Sequence, residues 1–445
     1  MNVSVIGTGY VGLVSGVCLA SKGHIVKCVD IDRAKVDKIN EGIPPIYEVG
    51  LEELLKSMVG RNMFATTDLH AAVLDSELTL IAVGTPFDGN EIDLKYIREV
   101  SRQIGEVLME KQSYHVVVVK STVVPGTTDD VVLPILEMSS GKKAGKDFGV
   151  GMNPEFLTEG QAIADFMNPD RIVLGGIDQR SIDILGKLYT VFSETPKLQT
   201  NCKTAEMIKY TSNAMLATAI SFANEIGNLC SAIGGIDVVD VMAGLHLSSY
   251  LRPQSQKSGY VQAPISSFYQ AGCGFGGSCL PKDVKALISH GKKAGSPMPL
   301  LQSVIDTNLA QPMHIRTILG RNFETLKRVR IAVLGLAFKP DTDDIRETPA
   351  IPIIKKLIED GADVSVFDPV AMAETKKVFD GMKVRFALSM ENCIENVEAI
   401  ILVTRWKEFE LLPQIIKNRI PQPLVVDGRR QLDKNSVARY TGIGL

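Results

Sequence analysis

The sequence predicts an α/β protein in which two domains with doubly wound sheets flank a central helical domain. A β-branched run, a glycine turn and a helix follow one another near residue 2, and a similar pattern returns near residue 330. Between them, residues 204–234 are rich in Ala, Met and Leu and contain no Pro. These observations together predict two Rossmann-like domains joined through a long connecting helix.

The first domain is the most regular part of the pattern. Residues 2–32 form a βαβ unit by pattern, and the apolar runs at 78–86, 114–127 and 170–176 are interpreted as further buried parallel strands. The predicted domain bounds are 1–200 for the first sheet domain, 201–315 for the helical domain and 316–445 for the second, smaller sheet domain.

Composition limits the class of protein. A chain of 445 residues is longer than one hydrophobic core usually organises, so several domains are expected. Hydrophobic residues at 45% and charged residues at 22% are typical of a globular protein. A net charge of −3 provides no global basic field for nucleic acid. No run approaches the ~20 apolar residues of a membrane span and the chain begins directly with a strand, so we expect a cytoplasmic protein with no membrane partner. The seven cysteines lack the spacing of a zinc site or a disulfide framework, so we expect no metal.

A dinucleotide-binding motif stands at the first βα turn. Gly7, Gly9 and Gly12 form G-x-G-x-x-G between a strand and a helix, where the backbone can approach a pyrophosphate. Asp30 ends the next strand, where a carboxylate accepts hydrogen bonds from ribose hydroxyls. Because this carboxylate would repel a 2′-phosphate, we expect NAD rather than NADP, even with Lys35 nearby. A glycine turn kept only for close packing is the competing interpretation.

Charged residues recur on the second sheet domain and on the central helix. Lys339 and Arg346 follow a strand, at the edge where α/β sheets bind ligands, and either bind phosphate or pair with nearby aspartates. Glu206, Lys209 and Asn213 share one face of the helix at spacing i, i+3, i+7. Taken alone, this face favours a buried structural network over an active site.

Two further strand ends supply groups for chemistry. In GMNPEFLTEG, Glu155 and Glu159 are acid or base candidates on successive turns of a possible helix; the alternative is a capping residue and a surface residue. In KSTVVPGT, Thr122 supplies a hydroxyl where a strand ends.

The stretch GCGFGGSCLPKD places two cysteines in a glycine-rich turn. Cys279 lies just before a helix that Pro281 is expected to start, with Lys282 adjacent, and both a helix N-terminus and a cation favour the thiolate. A lone cysteine is more often a buried inert thiol, and residue type alone does not distinguish Cys279 from Cys273.

Together these motifs resemble the UDP-glucose/GDP-mannose dehydrogenase family over essentially the whole chain. The segments that carry the resemblance, in the family's order, are GTGYVGL, VGTP, STVVPGT, NPEFLTEG, AEMIKYTSNA, GFGGSCLPKD, GLAFKPDTDDIRETP and DGR. The resemblance implies an enzyme that oxidises the primary alcohol of a nucleotide sugar to a carboxylate with two NAD and one water. It also implies that Cys279, and not Cys273, forms a thiohemiacetal and then a thioester.

The resemblance assigns roles to individual residues. Lys209 and Asn213 would surround the reacting oxygen, Asp283 and Thr122 would position the hydrolytic water, and Glu155 would be the acid or base of thioester hydrolysis. The implied NAD-binding set is Gly7, Gly9, Tyr10, Val11, Gly12, Asp30, Lys35, Thr85, Pro86, Thr122, Glu159, Lys282 and Arg346. The implied substrate-binding set is Glu155, Phe156, Leu157, Lys209, Asn213, Phe268, Tyr269, Gln270, Ala271, Gly272, Gly276, Lys339 and Arg429.

UDP-glucose, oxidised to UDP-glucuronate, is the expected substrate, because FYQAGCGFGGSC and GLAFKPDTDDIRETP look closer to the glucose enzymes. SGKKAGKDFGVG and FANEIGN resemble the GDP-mannose enzymes, so GDP-mannose or a UDP-N-acetyl hexosamine is the alternative. A two-electron dehydrogenase of the hydroxyacid type and a non-catalytic NAD-binding regulator are remoter alternatives.

One segment departs from the family pattern. Residues 246–268 are longer than the family's SRIG-like segment, whose arginine reaches a neighbouring subunit, and Arg252 is the candidate to replace that arginine. We expect a homodimer or higher homo-oligomer, since the apolar central helix could bury a face against a second copy.

Overall fold

The computed structural model describes residues 1–255 and 259–445. The chain divides into two compact units, Met1–Ser212 and Asn213–Leu445. Part of the unusual segment 246–268, positions 256–258, lies outside the described residues. The three predicted domain bounds stay predictions.

An eight-stranded sheet forms the centre of the first unit. Its strands are β1 (Asn2–Ile6), β2 (Ile25–Val29), β3 (Met63–Thr66), β4 (Leu78–Ile81), β5 (Val116–Val119), β6 (Gly149–Met152), β7 (Ile172–Gly176) and β8 (Lys197–Thr200). The strand order is β3-β2-β1-β4-β5-β6-β7-β8. The order reverses between β1 and β4, which is the switch point where doubly wound sheets bind ligands.

Helices connect these strands and cover the sheet. They are α1 (Tyr10–Ser21), α2 (Arg33–Asn40), α3 (Leu51–Met58), α4 (Leu69–Leu74), α5 (Lys95–Glu110), α6 (Leu133–Ser140), α7 (Ala162–Met167) and α8 (Gln179–Gly186). Helix α9 (Cys202–Ile233) follows the last strand, and its residues from Asn213 onward belong to the second unit. A short π-helical turn, Thr128–Val132, and a 3-10 turn, Lys187–Tyr189, complete the set. The central strands β4 and β5 are buried throughout, as expected for a sheet with helices on both faces.

The predicted long helix is α9, which spans 32 residues. Asn201 caps its start, because its side-chain oxygen accepts a hydrogen bond from the Thr204 N–H at 2.8 Å. Gly234, at φ 76°, follows its end in the left-handed conformation that commonly terminates helices.

One strand direction was predicted wrongly. Residues 170–176 were expected to form another parallel strand, but β7 pairs antiparallel with β6, with Gly151 opposite Gly176. A parallel return requires a crossover along the whole sheet, and only the six-residue helix α7 lies between the two strands. Strand β8 then pairs in parallel with β7.

The second unit contains a helical part and a six-stranded parallel sheet. Its further helices are α10 (Val238–His246), α11 (Leu280–Lys293), α12 (Pro299–Ala310), α13 (Met313–Gly320), α14 (Ala350–Glu359), α15 (Met372–Val378), α16 (Met390–Cys393) and α17 (Leu412–Ile416), with 3-10 turns at Pro264–Phe268 and Lys407–Leu411. Its strands are β9 (Gln254–Ser255), β10 (Gly259–Tyr260), β11 (Arg330–Leu334), β12 (Asp363–Phe367), β13 (Val384–Phe386), β14 (Ala399–Leu402), β15 (Leu424–Asp427) and β16 (Tyr440–Gly442). The larger sheet has the order β13-β12-β11-β14-β15-β16, while β9 and β10 form a small antiparallel pair.

The second sheet repeats the central order of the first, since β11 lies between β12 and β14 as β1 lies between β2 and β4. The α/β prediction of two Rossmann-like sheets with a helical region between them in sequence is therefore confirmed.

Candidate active site

The predicted dinucleotide turn lies between β1 and α1. Gly7 has φ 101° and donates its N–H to the Val29 carbonyl at 2.7 Å, which closes the turn onto β2. A side chain at Gly12 would collide with the Gly7 carbonyl, so α1 can pack this closely only with glycine there. A Cβ at Gly9, by contrast, would meet no described atom within 4 Å. The N-terminal turn of α1, with Gly9 as its N-cap and Val11 inside it, therefore leaves space for a phosphate.

Asp30 follows β2 and is held by the same turn. Its Oδ2 accepts hydrogen bonds from the Thr8 N–H at 2.9 Å and the Thr8 hydroxyl at 2.5 Å, and its Oδ1 accepts from the Asp32 N–H at 3.0 Å. Burial alone would raise the pKa of Asp30, but these hydrogen bonds outweigh it and lower the pKa. A half-buried carboxylate in this position can accept hydrogen bonds from a ribose.

Glu48 is a buried residue that the sequence did not single out. Its carboxylate accepts hydrogen bonds from the Tyr10 hydroxyl, from the Gly160 N–H at 2.6 Å and from the Ala162 N–H at 2.9 Å. Burial, followed by Glu48, raises the pKa of Tyr10. One carboxylate thus joins the nucleotide turn to the loop that carries Glu159, and no local pattern in the sequence could have indicated it.

The loop after β6 is not the helix that the sequence suggested. Residues 153–158 have no regular secondary structure, and the first helix after them is α7. Glu155 Oε2 accepts the Leu157 N–H at 2.7 Å, which gives the loop a local turn. The alternative interpretation, in which Glu155 caps a helix, does not apply, because no helix begins there.

Glu155 and Lys209 form a buried ion pair. Their Oε1 and Nζ atoms are 2.9 Å apart, and each side chain is 5% exposed. Burial alone would raise the pKa of Glu155, but Lys209, the Leu157 N–H and the more distant Lys120 together lower it. The pair provides an ionised carboxylate beside an ammonium group, where a proton can be accepted and a developing anion stabilised.

Lys120 and Asn153 belong to the same buried cluster and were missed as site residues. Lys120 directly follows β5 and Asn153 directly follows β6, and Lys120 Nζ donates to Asn153 Oδ1 at 2.9 Å. The same oxygen accepts the Tyr189 hydroxyl at 2.5 Å. The signal was present, because Lys120 is a charged residue that directly follows an entirely apolar strand, at the carboxyl edge of the sheet.

Neighbouring candidates of the first unit lie at the same edge. The Thr85 hydroxyl donates to the Thr122 carbonyl at 2.8 Å, which joins the two predicted NAD-binding segments and positions Pro86 beside them. The Arg171 guanidinium stacks on the Phe156 ring, with Cζ 3.8 Å from the ring centroid. Lys209 Nζ lies 5.7 Å from the same centroid. Lys35 is exposed in the first turn of α2.

Glu206, on the same helix face as Lys209, is structural. It accepts hydrogen bonds from the Gly126 N–H at 2.6 Å, the Thr128 N–H at 2.8 Å and the Thr128 hydroxyl at 2.6 Å. Burial raises its pKa to about 7, with these hydrogen bonds acting in the opposite direction.

In the second unit, Cys279 is the N-cap residue of α11. Its side chain is partly exposed, and Sγ lies 3.5 Å from the Ser278 hydroxyl. Asp283, one turn later, is 1% exposed and accepts hydrogen bonds from Asn213 Nδ2 and Lys282 Nζ, each at 2.6 Å. The predicted Lys282, Asp283 and Asn213 therefore form a hydrogen-bonded set at the start of this helix.

Cys273 differs from Cys279 although both stand in one glycine-rich turn. It is completely buried, its thiol donates to the Gly428 carbonyl at 3.2 Å, and burial raises its pKa to about 11. Such a thiol is a packing residue at neutral pH.

A cavity of about 240 Å³ lies beside this turn in the second unit. Six of the residues that line it belong to the predicted substrate-binding set: Phe268, Gln270, Ala271, Gly276, Lys339 and Arg429. Leu280, the residue after Cys279, also lines it. Three cationic side chains, those of Lys339, Arg405 and Arg429, line an otherwise largely apolar cavity, which suits an anionic ligand with a flat or sugar-like part.

Local contacts constrain three of the predicted substrate residues, Tyr269, Gly272 and Gly276. Tyr269 packs edge-on against Phe222, with ring centroids 6.1 Å apart. Gly272 donates its N–H to Asn224 Oδ1 at 2.7 Å. A Cβ at Gly276 would collide with the Glu347 carbonyl group, whose carbon would lie 2.8 Å away, so only glycine fits there.

Arg405 is a third cation at this cavity, and the sequence reasoning missed it. It lies in the loop after β14, and its guanidinium donates to Gln270 Oε1 and to the Arg429 carbonyl. Burial, followed by Arg429, lowers its pKa to about 10. Arg429 itself donates to the Gly274 carbonyl at 2.8 Å.

Arg346 forms a bidentate ion pair with Asp344, with contacts of 2.7 to 3.0 Å. This pairing is the alternative that the sequence left open for it. Arg252 is described and half-buried, while positions 256–258 after it are not described.

Within residues 1–255 and 259–445, no three His, Cys, Asp or Glu side chains are grouped as a metal site. In those ranges, too, every helix is too short or too polar to cross a membrane.

The fold and the site define a dinucleotide-dependent oxidoreductase with a second nucleotide-fold domain. Models of one family match three successive parts of the chain: the NAD binding domain at residues 1–193, the central domain at 203–310 and the UDP binding domain at 332–434. The chain belongs to the UDP-glucose/GDP-mannose dehydrogenase family. This confirms the predicted resemblance, the dehydrogenase class and the cofactor NAD.

Relatives match nearly the full length. UDP-glucose 6-dehydrogenase AglM of Haloferax volcanii is 39% identical over 100% of both chains. UDP-glucose 6-dehydrogenase TuaD of Bacillus subtilis is 40% identical over 99% of this chain and 92% of its own. GDP-mannose 6-dehydrogenase of Pseudomonas syringae pv. tomato is 40% identical over 97% of this chain and 95% of its own. The solved UDP-glucose dehydrogenase of Pyrobaculum islandicum has a TM-score of 0.88 and 36% identity, covering 99% of this chain and 97% of that one.

Proposed function

We propose that the protein oxidises the C6 alcohol of UDP-glucose to the carboxylate of UDP-glucuronate in two NAD-dependent steps, through a covalent intermediate on Cys279. The observation that supports this most is the contrast among the cysteines. Of seven, all within the described ranges, six are buried and Cys279 alone is partly exposed, at the start of α11 and next to a residue that lines the cation-bearing cavity.

NAD fits the first unit. The open position at Gly9 admits a pyrophosphate and the Asp30 carboxylate can accept hydrogen bonds from a ribose, while its charge opposes a 2′-phosphate. When bound, NAD accepts a hydride from carbon in each of the two oxidations. Thr85, Pro86 and Glu159 would complete this site.

Cys279 explains why the aldehyde would not be released. The thiolate adds to the aldehyde carbon and the oxygen takes a proton, which gives a thiohemiacetal. Loss of a hydride and a proton gives a thioester, and water then adds and displaces the thiolate. One alcohol, one water and two NAD⁺ thus give one carboxylate, two NADH and three protons.

Charged and polar residues that the resemblance assigns would carry out the remaining tasks. Lys209 would stabilise negative charge on the substrate oxygen, and the Glu155 carboxylate would accept a proton from the attacking water. Asn213 and Asp283, already hydrogen-bonded to each other, would orient the water with Thr122. Lys339 and Arg429 would bind the diphosphate.

Stoichiometry and one pair of variants test the mechanism. We expect two NADH per sugar nucleotide in the wild-type enzyme and no net acid formation in Cys279→Ala. Cys273→Ala is the matched control, since it removes a thiol from the same turn that donates only to a backbone carbonyl, and it should keep turnover. One NADH per substrate, or full activity without the Cys279 thiol, would overturn the proposal and favour a two-electron dehydrogenase.

GDP-mannose is the second candidate substrate, because GDP-mannose 6-dehydrogenases match this chain as closely as the UDP-glucose enzymes do. A side-by-side assay of NADH formation with UDP-glucose, GDP-mannose and UDP-N-acetyl hexosamines decides between them. We expect the highest kcat/KM with UDP-glucose; a higher value with GDP-mannose would replace it as the substrate.

A homodimer is proposed from the exposed side of α9. Met215, Phe222 and Leu229 recur every seven residues and are 54%, 48% and 55% exposed. Apolar residues at this spacing form one stripe along a helix and suit burial against a second copy. Light scattering should give a dimer for the wild type and a smaller mass for Leu229→Glu; a monomeric wild type would contradict the proposal.

A cytoplasmic location is proposed because all seven cysteines are thiols rather than disulfides, which suits a reducing compartment. Fractionation of cells that carry the tagged protein should recover it with cytoplasmic markers.

A further inference from the structure

Lys120 is the least satisfied buried cation of the first unit. It is 3% exposed and, among the residues the structure describes, its ammonium donates to one acceptor, Asn153 Oδ1. An ammonium group has three N–H donors. The Asn153 side chain has no further acceptor for the ammonium group, since its oxygen also accepts the Tyr189 hydroxyl and its amide nitrogen donates to the Val173 carbonyl at 2.9 Å.

Another buried lysine shows what a structural lysine looks like here. Lys111, which follows α5, is 5% exposed, and its Nζ donates to the carbonyls of Val73, Leu74 and Ser76 at 3.0, 2.5 and 2.7 Å. All three donors are used, so the charge is fully solvated by the backbone. Holding one amide does not require the buried charge that Lys120 carries, because a neutral donor would serve.

The charge of Lys120 acts on the Glu155–Lys209 pair. Glu155 is among the groups that act on Lys120, and Lys120 is among those that lower the pKa of Glu155. Burial lowers the pKa of Lys120 itself to about 8, which Glu155 opposes and Lys209 reinforces. One carboxylate is therefore accompanied by two buried ammonium groups, only one of which contacts it directly.

This arrangement has a clear chemical use. When Lys209 turns its charge toward the substrate oxygen, Glu155 loses the partner that keeps it ionised in a dry environment. We propose that Lys120 is a positioning residue whose fixed positive charge keeps Glu155 a carboxylate through thioester hydrolysis. The inference rests on the proposed function.

The other groups near Glu155, Lys120 and Asn153 limit which charges could keep Glu155 ionised. Lys209 reaches Glu155 from α9, and the Tyr189 hydroxyl reaches Asn153 from its 3-10 turn. Arg171 stacks on the Phe156 ring, with its Cζ atom 3.8 Å from the ring centroid. Lys120 is the group whose charge can be removed without breaking the Glu155–Lys209 contact.

Lys120→Gln tests the charge while leaving an amide donor for Asn153, and Lys111→Met is the matched control for a lost buried lysine. Removing the Lys120 charge raises the pKa of Glu155, which loses an attraction, and of Lys209, which loses a repulsion. The acidic limb of the kcat profile should therefore move up by about one pH unit in Lys120→Gln. KM should change little, and covalent adduct on Cys279 should accumulate below the limb, measured by intact-protein mass.

Lys111→Met should lower the unfolding midpoint and leave the limb in place. Lys120→Arg, which keeps the charge, should return the limb toward the wild-type position even if the protein is less stable. A limb that does not move in Lys120→Gln, in an enzyme whose wild type yields two NADH, overturns this inference alone. A wild type that yields one NADH overturns the proposed function and this inference with it.

Discussion

The two sheet domains use the same backbone turn for different ends. Gly7 donates its N–H to Val29 in the first, and Gly335, at φ 94°, donates to Phe367 at 2.9 Å in the second. An aspartate follows the second strand in each, and its Oδ2 accepts the N–H of the residue after the glycine. The backbone alone would suggest two dinucleotide sites.

The side chains separate the two turns. Asp30 is half-buried and, among the described residues, receives hydrogen bonds only from Thr8 and Asp32. Asp368 is 1% exposed and accepts five: four from the backbone N–H groups of Leu336, Ala337, Val370 and Ala371, and one from Trp406 Nε1. The second carboxylate is fully used by the protein and has no oxygen to offer a ribose.

The helix after each turn differs as well. Tyr10 begins α1 immediately after Gly9, whereas α14 begins only at Ala350, well after Gly335. The second turn thus has no helix N-terminus for a phosphate, and the cavity in this unit is lined instead by the cationic side chains of Lys339, Arg405 and Arg429. A shared fold therefore does not predict a shared ligand.

The largest difference should appear in stability. Asp368→Ala leaves five buried donors without their acceptor and should lower the free energy of unfolding by about 4 kcal/mol. Asp30→Ala should cost about 1 kcal/mol, because water can replace the carboxylate at a half-buried position. Urea unfolding followed by circular dichroism measures both, and equal midpoints for the two variants would contradict the comparison.

Cofactor affinity should show the reverse order. Asp30→Ala should raise the KM for NAD about tenfold, since hydrogen bonds to a charged acceptor are worth about 1.5 to 3 kcal/mol. The preference for NAD over NADP should fall in the same variant. Asp368→Ala, assayed well below its unfolding midpoint, should leave the KM for NAD unchanged; a shift there would mean that the second turn also binds the dinucleotide.

The smallest effect should come from exchanging the residues that correspond to each other in the two turns. Gly9→Ala adds a methyl group where the protein leaves space, so it should raise the KM for NAD a few-fold and leave the unfolding midpoint unchanged. Ala337→Gly, in the buried second turn, should lower the free energy of unfolding by about 1 kcal/mol and leave the KM for NAD unchanged. Kinetics and urea unfolding of both proteins complete the reciprocal test.

Local patterns predicted what depends on local geometry. The glycine turn at Gly7, the acidic residue Asp30 and the helix start at Cys279 are each encoded within a few residues. The direction of β7 was missed because apolar periodicity is the same for parallel and antiparallel strands. Glu48 and Arg405 were missed because their partners lie far away in sequence, and only folding brings them together.

The Glu48 carboxylate also determines how this protein could be rebuilt. A chimera that exchanges cofactor preference is naturally cut after the second strand, near Asp30. Such a graft would replace Tyr10 but keep Glu48, the carboxylate that accepts the Tyr10 hydroxyl. Glu48 would still bind Gly160 and Ala162, but the nucleotide turn beside it would come from another protein. The smallest segment that can be exchanged therefore extends through residue 48, and residues 160–162, which bind Glu48, must be exchanged together with it.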